Sequence, residues 1–334
     1  MSMAVQPNVR ERCRAITSSS RRCRNYAIDD RGFCRIHAAP PRLTVPNPAD
    51  RRSPEALLEE RMQRLADFIR RRVLGDYEVD LFGFDRELTE EILHPLAMLM
   101  YHRYWRVTPI GIENIPASGP ALLVANHSGG LPWDAVMMKF GVLEDHPAHR
   151  HVRLLAADLA ISVPVLSHLA RKSGNTVAIE DDALRLLGSG ELVGVFPEGF
   201  KGVGKYYRDR YRLQRFGRGG FIEVALKARV PIVPVAIVGA EEIYPIVANL
   251  KPLARVFGFP YFPITPFFPA LGPLGVLPLP TRWTIEYGQP ISVEHLPLDA
   301  HDDPMLVFDL TDQVRDTIQQ MLNRNVAARR GIFR

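Results

Sequence analysis

ALLVANHSGGLPWD, residues 121–134, is the stretch on which the fold turns. Ala121 to Ala125 is an unbroken apolar run, the pattern of a strand covered on both faces. Asn126 to Pro132 is a turn with two adjacent glycines, and a helical pattern begins at Trp133 and continues to residue 143. Working outward, strand-like runs recur at 152–156 (VRLLA), 175–179 (NTVAI), 192–196 (LVGVF), 232–237 (IVPVAI) and 283–287 (WTIEY). Helical patterns at 163–172, 181–188, 218–228 and 305–322 fall between or after them. Alternating strands and helices predict an α/β domain with a mainly parallel central sheet flanked by helices. In such sheets the site lies at the strand C-terminal ends.

Upstream of this pattern the composition changes. Ser53-Pro54-Glu55 reads as an N-cap with proline at the first helical position. The helix it opens carries Leu58, Met62, Leu65, Ile69 and Val73 on one face, has Arg61, Arg64, Arg70 and Arg71 elsewhere, and stops near Gly75. Such a basic amphipathic helix either packs on a domain or lies on a membrane. A second helical stretch spans about 88–104. The expected organisation is a module at 1–38, a Pro-rich linker at 39–52, N-terminal helices at 53–105 and the α/β domain at 106–334.

The chain has 334 residues, of which 46% are hydrophobic and 24% charged, the balance of a folded globular protein rather than a disordered one. Its 42 Lys+Arg against 37 Asp+Glu give +5, with the surplus concentrated at 1–37 and 201–218. Basic clusters of this kind suit anionic lipid, phosphate or nucleic acid, or are simply solvated faces. All three cysteines lie within the first 34 residues, which argues against a secreted disulfide framework and for a reducing compartment. The start of the chain is polar and Arg-rich without an apolar core, so no signal peptide is expected and a cytoplasmic location is.

His127 and Asp134 bracket the glycine-containing turn. A neutral imidazole can take a proton from a hydroxyl at cellular pH. A carboxylate on its other ring nitrogen would fix the tautomer and stabilise the imidazolium. The alternative is a structural pair. No G-x-S-x-G elbow occurs, which counts against a serine hydrolase.

Three more blocks stand in order around this pair. Gly111-Ile112-Glu113-Asn114-Ile115-Pro116 precedes it. Phe196-Pro197-Glu198-Gly199 follows the run at 192–196, and Val230-Pro231-Ile232-Val233-Pro234-Val235 follows that. In this order the four blocks resemble the glycerolipid (lysophospholipid) acyltransferase superfamily, marked by N-H-x4-D, F-P-E-G and V-P-[IV]-[VI]-P. The resemblance covers about residues 106–292, and the turn 126–132 looks most like the branch containing monoacylglycerol-type acyltransferases and their bacterial relatives. It implies that His127 is a general base oriented by Asp134, with no catalytic metal. It also implies that Glu198 and Gly199 bind the acceptor head group, that acyl-CoA or an acyl carrier protein is the donor, and that the acceptor is a lysophospholipid or related glycerolipid. The enzyme would be peripheral on the cytoplasmic face of a membrane. The bland reading of Glu198 is a strand-end turn residue.

Two departures bear on this. Six residues separate His127 from Asp134 where the family usually has four, so the turn must bulge if the pair is to meet. The family's G-x-x-[FP]-[IV]-x-R block is matched by Gly174-Asn175-Thr176-Val177-Ala178-Ile179-Glu180, with no arginine, and Glu180, Asp181 and Asp182 would repel a phosphate. A neutral mono- or diacylglycerol acceptor is therefore the second enzymatic reading, and a non-catalytic lipid- or nucleic-acid-binding protein is the third. Positive charge lies elsewhere, in Lys201, Lys205, Arg208, Arg210, Arg212, Arg215 and Arg218, interleaved with Tyr206, Tyr207 and Tyr211. The first four of these are candidate ligands for a phosphate on acceptor, coenzyme A or lipid.

Residues 256–280 (VFGFPYFPITPFFPALGPLGVLPLP) are uncharged and long enough to span a bilayer, but contain seven prolines. Each interior proline costs a helix about 3 kcal/mol, so the segment is read as a buried irregular cover or an exposed patch dipping into a membrane interface.

Cys13, Cys23, Cys34 and His37 follow C-x9-C-x10-C-x2-H, a full tetrahedral set for a structural zinc ion or else unrelated reduced thiols. The segment resembles a small zinc-knuckle-like module found at the ends of varied microbial proteins. A protein, a nucleic acid or an anionic membrane could each be its partner.

Overall fold

The computed structural model describes residues 54–128, 131–156, 166–256 and 261–333. Cys13, Cys23, Cys34 and His37 lie outside the described residues, as does the whole of the linker. The chain divides into two compact units, residues 1–77 and 78–334.

Within the smaller unit the described element is helix α1, Pro54–Leu74. Gly75 ends it at φ +73°, and Asp76 N–H donates back to the Arg71 carbonyl at 2.9 Å. Its stripe residues Met62, Leu65, Ile69 and Val73 are exposed.

The larger unit is built on a seven-stranded sheet: β1 (Thr108–Ile110), β2 (Ala121–Ala125), β3 (Val152–Ala156), β4 (Thr176–Val177), β5 (Leu192–Val195), β6 (Ile232–Val238) and β9 (Thr284–Tyr287). The order is β1-β9-β6-β2-β5-β3-β4. Every pairing is parallel except β6 with β9. A separate two-stranded piece joins β7 (Ala248–Asn249) to β8 (Pro263–Ile264).

The central strand β2 shows why this order forms. Leu123 and Ala125 face one core with Met137 and Phe140, while Leu122 and Val124 face the other with Leu186 and Ile222. A strand buried on both faces must be apolar at every position, which is why its run is unbroken. Each fully buried leucine of such a strand contributes about 1.5–3 kcal/mol. One face is covered by α2 (86–104) and α3 (Trp133–Asp145), the other by α5 (Glu180–Gly188), α7 (Gly220–Ala228) and α9 (Pro304–Ala328); α4 is Leu166–Lys172, α6 is the short helix Phe200–Val203 and α8 is Lys251–Val256.

The sequence groups 53–105 together, but the unit boundary falls before α2. The reason is packing: Tyr101 and Trp105 are fully buried, Tyr101 Oη donates to Asp145 Oδ2 at 2.6 Å, and Trp105 stacks on Trp283 at 4.7 Å. Two π-helical stretches, Thr89–Leu93 and Leu99–Tyr104, interrupt α2. Residues 256–280 form no helix long enough to cross a membrane among the described residues.

Candidate active site

β2 and β5 are neighbours in register, Val124 opposite Val195, so the turns that leave their C-terminal ends emerge side by side. One carries His127 and Asp134, the other Phe196 to Gly199. Asn126 fixes where the first turn starts: its side chain donates to the Ile237 carbonyl at 3.0 Å and accepts from Ile237 N–H at 2.7 Å. A side-chain amide thus prolongs the β2–β6 ladder by one rung.

Despite the six intervening residues, His127 Nδ1 and Asp134 Oδ2 lie 2.7 Å apart. Asp134 is buried at the first turn of α3. Its Oδ2 also accepts from Ser128 N–H at 2.8 Å and its Oδ1 from Ala135 N–H at 2.8 Å. Three donors fix the carboxylate, and the carboxylate fixes the ring. This geometry places the proton on Nδ1 and the lone pair on Nε2, which makes no hydrogen bond among the described residues. The Phe196 ring lies against the imidazole at 4.7 Å between centroids.

Glu198 is also buried, and both its oxygens are engaged inside the protein. Oε1 accepts from His127 N–H at 3.0 Å; Oε2 accepts from Gln214 N–H at 2.7 Å and faces Lys205 Nζ at 3.1 Å. Through these contacts Glu198 forms a strut under the backbone of His127. Lys205 is likewise turned inward, since its Nζ also reaches Glu241 Oε1 at 3.1 Å, and Glu241 Oε2 accepts from Tyr211 N–H at 2.9 Å. Burial lowers the Lys205 pKa, but the two carboxylates outweigh it and hold the net value above the usual lysine range. Burial, with the neighbouring Glu198 charge, pushes the Glu241 carboxyl up to about 7, against the pull of Lys205.

Two glycines are required here, Gly199 by its backbone conformation and Gly202 by crowding. Gly199 sits at φ +52°, ψ −142°, a conformation that side chains rarely adopt. A Cβ at Gly202 would lie 2.7 Å from the Glu198 Cβ and 3.0 Å from the His127 Cβ.

The other expected phosphate ligands diverge. Lys201 and Arg208 are exposed, Arg208 at 79%. Arg210 folds over the Tyr207 ring at 4.3 Å and faces Glu242, with 3.9 Å between Nε and Oε1. Arg212, Arg215 and Arg218 remain at the surface. The acidic residues after β4 are occupied as well: Glu180 pairs with Lys227, and Asp182 accepts from Thr176 Oγ1 at 3.0 Å. Sequence reasoning missed Gln214 and Glu241. Glu241 follows directly on β6 and its short turn, and a paired acidic sequence in an otherwise apolar stretch was the available signal.

The family model of the acyltransferases matches residues 106–238, from β1 to the end of β6. An uncharacterised protein of Mycobacterium tuberculosis is 54% identical over 277 residues, spanning 83% of this chain and 77% of that protein. One from Mycobacterium leprae is 52% identical over 282 residues, spanning 84% and 77%. A cattle protein described as a DGAT1/2-independent enzyme synthesizing storage lipids is 23% identical over 217 residues, 64% of this chain and 58% of that protein. The crystal structure of the 1-acyl-sn-glycerophosphate (LPA) acyltransferase PlsC from Thermotoga maritima aligns with a TM-score of 0.49 and 17% identity, covering 74% of this chain and 85% of that one. By its family match and its relatives, the chain belongs to the glycerolipid acyltransferase superfamily.

Proposed function

We propose that the protein moves a fatty acyl group from an acyl thioester, acyl-CoA in the simplest case, to a hydroxyl of a lysophospholipid or related glycerolipid at a membrane surface. The observation that carries this reading is the 2.7 Å contact between His127 Nδ1 and buried Asp134, which leaves Nε2 without a hydrogen bond among the described residues. The acceptor hydroxyl attacks the thioester carbonyl as Nε2 takes its proton, and Asp134 stabilises the imidazolium. Collapse of the tetrahedral adduct breaks the C–S bond, and the leaving thiolate takes the proton back from the ring. No serine or cysteine of the enzyme is acylated, because the acceptor supplies the nucleophile. The Glu198 strut supports this chemistry by holding the His127 backbone still, and misplacing a base by about 1 Å can cost ~10²-fold in rate.

A second reading keeps the reaction and changes the acceptor to mono- or diacylglycerol. Two observations favour it: residues 174–180 contain no arginine, and the cattle relative is described as making storage lipids. Purified protein given labelled acyl-CoA and a panel of lysophosphatidate, other lysophospholipids, monoacylglycerol and diacylglycerol separates the two. Product from phosphate-bearing acceptors supports the first; product only from neutral ones supports the second; no product from any acceptor, with folded protein, rejects both.

A further inference from the structure

Between β6 and β9 the chain leaves the sheet on an excursion, and no aspartate or glutamate occurs from residue 243 to residue 285. Its described parts are held from the inside. Val247 N–H donates to the Ile264 carbonyl at 2.8 Å, and Leu279 N–H to the Ile243 carbonyl at 3.0 Å. Tyr244 Oη donates to the Val276 carbonyl at 2.8 Å, and Tyr104 Oη to the Pro278 carbonyl at 2.6 Å. The polar backbone thus bonds inward while aliphatic side chains stand outward. Val256 is 80% exposed, Leu274 67% and Leu277 62%, with Leu253 and Leu271 exposed beside them in the sequence. Isolated exposed apolar residues need no explanation, but this many in one acid-free excursion do.

Three features fit one occupant, an anionic bilayer. The charges the excursion does carry at its surface are Lys251, Arg255 and Arg282, all exposed and all positive. The prolines between residues 260 and 280 remove backbone donors that hydrocarbon would leave unsatisfied. The excursion is also tied to both turns of the site. Tyr207 N–H donates to the Ile246 carbonyl at 2.8 Å, and Trp133, next to Asp134, donates from Nε1 to Tyr244 Oη at 3.4 Å. Exposed Leu131 and Phe200, and the exposed cations Lys201 and Arg208, belong to those same two turns.

We propose that the described parts of this excursion, residues 243–256 and 261–283, are the surface on which the protein docks to an anionic membrane, with Leu253, Val256, Leu274 and Leu277 entering the interface and Lys251 and Arg255 meeting the headgroups. The inference deepens the proposed function, since it names the surface that would bring a lipid acceptor to His127.

The test is flotation of the full chain with vesicles of phosphatidylcholine alone and of phosphatidylcholine mixed with phosphatidylglycerol. Wild type is expected to bind the mixed vesicles more tightly. A basic residue at an anionic surface is worth roughly 1 kcal/mol, or about fivefold, so Lys251→Glu with Arg255→Glu should weaken that binding by about 25-fold or more. Leu274→Asp with Leu277→Asp should weaken binding to the mixed vesicles by about tenfold or more. Both doubly substituted proteins should melt as wild type does and should acylate a dispersed short-chain acceptor at the wild-type rate. Wild-type binding by both variants overturns the proposal, as does loss of binding through Leu65→Asp with Ile69→Asp in α1 alone. Transfer to dispersed acceptors without any vesicle binding also overturns it and leaves the reaction standing. Vesicle binding by wild type and His127→Ala alike, without transfer by either, leaves the surface standing and sinks the reaction.

Discussion

The strand-end site and the proline-rich excursion lie side by side and solve opposite problems. In the site, charge is buried: Asp134, Glu198, Lys205 and Glu241 are all shielded from water, and each has partners at 2.7–3.1 Å. In the excursion, apolar surface is exposed, and the chain offers nothing among its described residues to cover Val256 or Leu274. A buried charge without a partner would cost several kcal/mol, so the first region had to be completed from within the fold. Exposed aliphatic side chains carry a smaller and distributed cost, which a partner outside the chain can remove. Completeness marks the chemistry, and incompleteness marks the contact.

The sharpest way to break this contrast is to spoil the site without touching its volume. Asp134→Asn keeps the shape but removes the charge that selects the Nδ1–H tautomer, and kcat should fall by about 10²–10⁴-fold with KM little changed. An unchanged kcat would mean that the pair is only structural. Next in size is the clamp. Lys205→Met strands Glu198 and Glu241 in a buried place, and removing one partner of such a pair costs about 3–5 kcal/mol, read from chemical denaturation. If Lys205 were merely a surface cation, the loss would stay below about 1 kcal/mol.

A pH series sharpens the same point. Because Glu241 titrates near 7 in the fold against an ordinary value of 4.5, the folded state holds the extra proton between those limits. Its stabilising effect is full below about 4.5 and is lost as pH rises through about 7. Wild type should therefore lose more thermal stability than Glu241→Gln over that window, and parallel curves would refute the raised value. The smallest effect belongs to the excursion: Leu274→Asp alone should change stability by no more than about 0.5 kcal/mol, because the side chain packs on little. A loss of several kcal/mol would show instead that Leu274 belongs to the core.

How much of this was legible in the sequence follows the same division. β2 and β3 are read at their observed bounds, 121–125 and 152–156: β2 because a strand buried on both faces is continuously apolar, β3 because its apolar run is broken by a single residue, Arg153, which is buried and paired with Asp80. β1 escaped, since Thr108–Ile110 has three residues, one of them proline, and is partly exposed. The reversed direction of β9 escaped too, as an apolar run does not encode polarity. In the site, His127 and Asp134 were legible because seven positions of one turn hold them. The Lys205–Glu241 pairing was not, since 36 positions separate the two and the sequence shows Lys205 only as one more cation in a basic loop. The inward contacts of Glu198 and Lys205 were hidden for the same reason, since their partners lie on segments distant in the sequence.

The central claim is that the Nε2 atom of His127 takes the acceptor's proton. His127→Ala, checked to melt as wild type does, should lose about 10²–10⁴-fold of acyl transfer to the best acceptor of the panel while still binding acyl-CoA. A folded His127→Ala protein that transfers the acyl group at the wild-type rate would contradict the account.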